Sequence, residues 1–219
     1  MSLPLLPMPS PKLLEELCPF RPVSGCPEIQ VRESRAVFTL WEAWEEEAGR
    51  QCPVPFWAVT WPAAQVLARF LLDQPDLVRG REVIEIGCGG AVASIAATKA
   101  GASKVTANDI DPIALAIARQ NAAQNRVSLD FDSQDCIETG SVGQARLILC
   151  SDLFYTRAES LALSGRLDTW KEHPITILIA DSGRPFAPKD YREVLREEWV
   201  DVDSDLEGKQ KRAVKILRY

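Results

Sequence analysis

Apolar positions along the chain fall into two alternating rhythms. Short, β-branched runs recur at "REVIEIG" (81–87), "KVTANDI" (104–110), "ARLILCS" (145–151) and "ITILIAD" (175–181), with a weaker strand-like "VSLDFDS" (127–133). Each has the length of a buried strand. Between them lie stretches with apolar residues at helical spacing. "PAAQVLARFLLDQPDLVRG" has Pro62 suited to a first turn and Gly80 to close it; "AVASIAATKAG" is stopped by Gly101; "DPIALAIARQNAAQN" has Asp111 as cap and Pro112 at its first position; "RAESLALSGRLDTWKE" follows the fourth run. Strands alternating with helices predict a parallel sheet covered on both faces.

The two ends depart from this grammar. The closing "DYREVLREEWVDVDSDLEGKQKRAVKILRY" (190–219) reads as one helix and then two strands joined through "LEGKQK", so the last strand should lie antiparallel to its neighbour. The whole is then an α/β, doubly wound, mostly parallel seven-stranded sheet with an antiparallel last strand, the Rossmann-like pattern of a class I methyltransferase. Upstream, "EIQVRE" alternates like a strand and "AVFTLWEAWEEEAG" mixes apolar and acidic residues before a break at "QCPVP". Residues 1–26 are proline-rich and read as an irregular, mobile arm apart from a helical turn at "KLLEEL". The domain proper is expected over 27–219.

Composition narrows the functions. With 219 residues and 46% hydrophobic content the chain can bury one sizeable core. A formal charge of −6 argues against a phosphate-backbone partner, so no nucleic acid is expected. Six cysteines stand without a CxxC pair or a nearby histidine, which predicts neither a metal site nor a disulfide framework and suits a reducing compartment. The single histidine, His173, falls in a loop before a strand and removes Ser-His-Asp and Cys-His chemistry. No segment reads as a leader or a membrane span, so a soluble, cytoplasmic, monomeric protein is expected. Trp41 and Trp44, at helical spacing, read as core, and Glu45 to Glu47 as a solvated face.

In an open α/β sheet, ligands bind beyond the carboxyl ends of the strands. The first such end, "VIEIGCGGAV", carries Gly87, Gly89 and Gly90, which let the backbone turn and approach a ligand, followed by a helix N-terminus. Val92 stands where a dinucleotide fingerprint wants Gly or Ala, and Glu85 precedes the turn, where an acid suits a cationic or hydroxyl-bearing ligand better than a pyrophosphate. S-adenosyl-L-methionine has those groups and no phosphate. Asp109, about twenty residues on, sits where an acid reaches ribose hydroxyls, while Asp111 is better explained as a helix cap. Asp135 could meet an adenine amino group or be a solvated loop acid. At the fourth strand end, "SDLFY" presents Asp152, Phe154 and Tyr155 together. Asp152 could orient an incoming amine, with the two rings as a wall tolerant of cationic nitrogen; Phe154 could instead be core.

These residues resemble the seven-strand, S-adenosylmethionine-dependent protein lysine methyltransferases, and more narrowly the electron transfer flavoprotein β-subunit lysine methyltransferase family, including its bacterial members. The resemblance runs from about Pro27 to the end of the chain through "PEIQVR", "PFWAVTWPAAQVLARFLLDQPDLVRG", "VIEIGCGGAVASIAA", "GASKVTANDIDPIAL", "SDLFY" and "DSGRP". It implies that Glu85, Gly87 and Gly89 form the cofactor loop, Asp109 holds the ribose, Asp135 sits by the adenine, and Trp61 packs at the cofactor and substrate side with Trp57 close by. Asp152 and Tyr155 fall on the family's acid-x-x-aromatic motif lining the substrate channel. The implied partner is a protein bearing a target lysine, the electron transfer flavoprotein β subunit. Two departures stand out: Ala91 replaces a third loop glycine, acceptable if its backbone angles are ordinary, and Ala63 and Ala64 replace a frequent glycine pair. A small-amine or N-terminal methyltransferase, a nicotinamide-dependent oxidoreductase and a non-catalytic binding module are the competing readings.

Overall fold

A computed structural model describes residues 7–219. The chain opens with α1 (Pro11–Leu17), capped by the Ser10 hydroxyl, then β1 (Phe20–Val23) and β2 (Cys26–Arg32) as an antiparallel hairpin, and α2 (Val37–Ala48). After a 3-10 turn (Phe56–Ala58) come α3 (Pro62–Asp73), a second 3-10 turn (Pro75–Leu77), β3 (Glu82–Ile86), α4 (Val92–Lys99), β4 (Lys104–Asn108), α5 (Pro112–Gln124) and β5 (Asp130–Asp132). The remainder is α6 (Cys136–Thr139), β6 (Leu147–Ser151), α7 (Arg157–Trp170), β7 (Thr176–Asp181), β8 (Glu193–Asp201), α8 (Ser204–Glu207) and β9 (Lys211–Arg218).

The main sheet has seven strands in the order β5-β4-β3-β6-β7-β9-β8. The pairs from β5 to β7 are parallel, and β9 runs antiparallel to both β7 and β8. The expected doubly wound sheet with an antiparallel last strand is therefore present. Its continuous apolar runs have a simple cause. Val83, Leu147, Leu149, Leu178 and Ala180 face a core shared with α3, α4 and α5, while Ile84, Ile86, Ile148, Cys150, Ile177 and Ile179 face a second core closed by α7. Strands buried on both faces lose the polar alternation of a half-exposed sheet.

Two expectations at the chain ends are corrected. The helical turn expected at "KLLEEL" is α1, but the segment around it is no irregular, mobile arm: it also contains β1. Leu13, Leu14 and Cys18 are buried with Leu40 and Trp44 of α2, and Glu47 of α2 accepts both the Ser10 N–H and hydroxyl, at 3.0 and 2.7 Å. Prolines at positions 11 and 22 are compatible with this order, one at a helix start and one on an edge strand. Residues 1–6 of that expected arm lie outside the described residues. At the other end, the helix read at the start of 190–219 is absent: Glu193–Asp201 is an edge strand whose Leu195 and Val200 lean on the core. Charged residues with good helix propensity sit there because every second position of an edge strand meets solvent, and tertiary pairing with β9 overrides propensity.

Candidate active site

The carboxyl ends of β3, β4, β6 and β7 and the N-terminus of α3 converge on one end of the sheet. On one side lies the glycine turn. Gly87 and Gly89 have φ of 62° and 49°. A Cβ on Gly87 would sit 2.7 Å from the Leu153 side chain, and one on Gly89 would touch the Trp57 backbone at 3.9 Å. The turn is thus a cradle in which Leu153 crowds Gly87 and the positive φ angles, more than lack of space, call for glycine at Gly89. Ala91 does not have the ordinary angles its replacement of glycine would require: at φ 60° and ψ 36° it is left-handed, a conformation that disfavours a Cβ.

Glu85 is 1% exposed and spans the start of α4. Its Oε2 accepts the Ser94 N–H at 2.8 Å and the Ser94 hydroxyl at 2.6 Å, while Oε1 is buried with no partner. Burial, with a smaller contribution from the Asp109 charge, pushes its carboxyl up to about 7. The α4 N-terminus is therefore already closed by a carboxylate, leaving it unsuited to a phosphate. This counts against the dinucleotide reading on geometry as well as on Val92.

Asp109 folds back on the same turn. Its two oxygens accept the Gly89 and Asp111 N–H groups at 2.8 and 2.9 Å, and burial raises its carboxyl. Ile110 beside it is 68% exposed, an apolar side chain left at the rim. Asp111 is the helix cap, accepting the Ile113 N–H at 2.8 Å. Asp135 also proves to be a cap, its Oδ1 accepting from Ile137 and Glu138 at the start of α6. A residue the sequence reading passed over, Asn121, braces the turn from behind. It accepts the Arg32 N–H of β2 at 2.8 Å and donates to the Gly90 carbonyl at 2.9 Å. An asparagine inside a helix, where it is a poor helix former, was the available signal.

The opposite wall is made of side chains. Asp152 is 6% exposed with φ 53°. Oδ1 accepts the Ser182 N–H (3.0 Å), the Ser182 hydroxyl (2.6 Å) and Arg184 Nε (3.0 Å), and Oδ2 accepts the Ala63 N–H at 3.1 Å. It thus caps α3 and ties β6 to the turn after β7. Arg184 continues through a two-pronged pair with Glu207 at 2.8 and 3.0 Å, which Arg212 joins at 2.9 Å. The guanidinium of Arg184 also lies 5.3 Å from the Trp61 ring centre.

Aromatic placement corrects two expected contacts. Phe154 is wholly buried in the core under α7 and is no part of the wall. The Trp57 ring, 2% exposed, packs edge-on to Trp44 at 6.1 Å in the core beneath α2. Their neighbours in sequence occupy the rim instead. Phe56 is 51% and Tyr155 47% exposed, with ring centres 6.1 Å apart, and Trp61 lies 6.0 Å from Phe56 and donates its indole N–H to the Phe56 carbonyl. Burial, aided by the Glu159 and Asp109 charges, raises the Tyr155 hydroxyl, so it stays protonated.

A glycine cradle, a strand-end acid and an acid-plus-aromatic wall at the carboxyl edge of this strand order define a class I methyltransferase fold. Solved structures share it: a Thermoplasma acidophilum protein matches with TM-score 0.54 at 20% identity, covering 71% of this chain and 87% of its own. Pyrococcus abyssi tRNA (uracil-54, C5)-methyltransferase with bound S-adenosyl-L-homocysteine matches with TM-score 0.50 at 22% identity, over 68% of this chain and 38% of its own. Residues 65–151 match the family model of ribosomal protein L11 methyltransferase. Among curated relatives, the electron transfer flavoprotein β-subunit lysine methyltransferase of Xenopus laevis is 42% identical over 59% of this chain and 53% of its own. Its Caenorhabditis elegans homologue is 31% identical over 75% and 73%. The chain belongs to the electron transfer flavoprotein β-subunit lysine methyltransferase family. It spans just over half the length of the Xenopus relative and 61% of the Danio rerio one.

Proposed function

We propose that this protein transfers methyl groups from S-adenosyl-L-methionine to lysine side chains of a protein substrate, the electron transfer flavoprotein β subunit. One observation carries the cofactor assignment: the glycine cradle adjoins a helix N-terminus closed by Glu85, whose buried Oε1 lacks a partner. That acceptor fits a ligand with amine and hydroxyl donors and no phosphate. Gly87 and Gly89 would let its backbone-facing part approach, Asp109 would hold the ribose, and Ile110 and Asp135 would flank the base. When bound, the sulfonium supplies the methyl group and leaves as a neutral thioether.

The remaining chemistry belongs to the chain. A lysine amine has an ordinary pKa near 10.4 and must lose its proton before it can attack. Desolvation between the Phe56, Trp61 and Tyr155 rings favours the neutral amine, and the proton leaves to water. Asp152, whose oxygens serve Ala63, Ser182 and Arg184, holds α3 and the aromatic rim in place; its Oδ2, with one hydrogen bond, retains a lone pair for an incoming N–H. The exposed rim suits a side chain presented by a macromolecule better than a small amine enclosed on all sides. All six cysteines are free and buried, consistent with a reducing compartment.

Incubation of the purified protein with methyl-labelled S-adenosyl-L-methionine and a cell lysate tests the reading. A discrete labelled protein of electron transfer flavoprotein β-subunit mass is expected. Label confined to small molecules would overturn it.

A further inference from the structure

Beside the aromatic rim lies a cleft of about 360 Å³ between the residues following β2, the Val59–Pro62 turn and the connection from β8 into α8. Trp61 lines it and joins it to the site described above. Its charged lining is one-sided: Glu33, Asp201, Asp203 and Glu207 against Arg35. These acids are not equivalent. Glu207 is neutralised by Arg184 and Arg212, Asp201 is an exposed partner of Lys211 at 3.4 Å, and Asp203 caps α8 through the Asp205 N–H. Glu33 is half-buried and, among the described residues, has neither hydrogen bond nor ion pair for its carboxylate, although Arg35 is two residues away. Thr60, 6% exposed, also lines the cleft, and its hydroxyl makes no hydrogen bond among the described residues.

An uncommitted carboxylate and an unpartnered hydroxyl in a cleft that Trp61 helps to line are the groups a cationic side chain needs. We infer that this cleft receives a second basic side chain of the protein substrate, near the target lysine, with Glu33 as its counter-ion. The inference rests on the lysine-methylation reading and extends it to substrate choice. The subsite discriminates because an apolar neighbour placed there would leave Glu33 and Thr60 both desolvated and unpaired.

The test uses capped alanine-based peptides with one lysine, and an arginine or norleucine placed at each position on either side of it. Binding to the full chain is measured by calorimetry with S-adenosyl-L-homocysteine present. At one or more positions arginine should tighten binding about tenfold over norleucine, as a charge-assisted hydrogen bond would. The gain should shrink with added salt. In Glu33→Gln it should fall below about threefold while homocysteine-cofactor affinity stays unchanged. Equal binding of arginine and norleucine peptides, no binding of either, or a full gain in Glu33→Gln would overturn the inference. Methyl transfer to the same peptides reports separately on the parent reading. An arginine gain without transfer leaves the cleft and removes the lysine chemistry; transfer without the gain does the reverse.

Discussion

The two walls of the site are built on different principles. The cofactor wall is local: Glu85 reaches Ser94 nine positions on, and Asp109 reaches Gly89 across twenty. Backbone N–H groups and left-handed turns do most of the work there. The substrate wall is assembled from afar. Asp152 bonds to Ala63 across 89 positions, Arg184 to Asp152 across 32 and to Glu207 across 23. A wall made by one strand-turn-helix unit can bind the same cofactor in many proteins, whereas a wall made by distant side chains can change its substrate without disturbing the turn.

Adjacent residues of the substrate wall separate packing from function most clearly. Phe154→Ala should destabilise the protein by about 3–5 kcal/mol in urea unfolding, as expected for emptying a fully buried aromatic site. Tyr155→Ala, at a half-exposed ring, should cost less than about 1 kcal/mol and instead raise KM for the protein substrate. Equal stability losses would mean that Tyr155 is structural too. Next in size, Asp152→Ala removes the acceptor for Ala63, Ser182 and Arg184 and should cost about 3 kcal/mol, the low end for breaking a buried pair because Arg184 keeps Glu207. Asp152→Asn, which retains an acceptor and tolerates φ 53°, should be milder. A loss below about 1 kcal/mol in Asp152→Ala would show the network to be incidental.

On the cofactor wall the telling variable is pH. Glu85 has its carboxyl raised from an ordinary 4.5 to about 7, so its contribution to stability is complete below 4.5 and is lost as pH rises through about 7. The shift corresponds to no more than about 3 kcal/mol. Relative to Glu85→Gln, the wild type should therefore lose melting temperature across that interval. A difference independent of pH would show that Glu85 is not the titrating group.

The same local-versus-distant contrast explains what could be seen in the sequence. Alternating runs and glycine stops revealed the sheet, its antiparallel end, the cap at Asp111 and the helix start at Pro62, because period and turn chemistry are local. The placement of aromatic residues was seen only in part: Tyr155 and Trp61 stand at the rim as expected, whereas Trp57 and Phe154, expected beside them, are core and Phe56 takes the remaining place. Which of two adjacent rings turns outward depends on the packing of α2, α5 and α7 against these loops, and no short-range pattern encodes it. Asp152 was visible as a strand-end acid, but not that Ser182, Arg184 and Ala63 together consume most of its hydrogen-bonding capacity. The strand at 193–201 was hidden behind helix-favouring Glu and Arg for the same reason, since only its pairing with β9 decides it.

The smallest expected effect tests how strictly the glycine turn needs glycine. Ala91 sits in the left-handed region, which costs a residue with a Cβ about 1–2 kcal/mol. Ala91→Gly would relieve that, but the methyl group is completely buried, worth about 0.8 kcal/mol, and the unfolded chain gains freedom worth about 0.4–1 kcal/mol. The terms nearly cancel, so stability should change by less than about 1 kcal/mol in either direction. Ala91→Val, β-branched in the same conformation at a completely buried position, should destabilise clearly more and weaken cofactor binding, because the strain falls next to Gly89 and Gly90. If valine is tolerated as well as glycine, the turn is held by Glu85 and Asn121 rather than by its own backbone preferences.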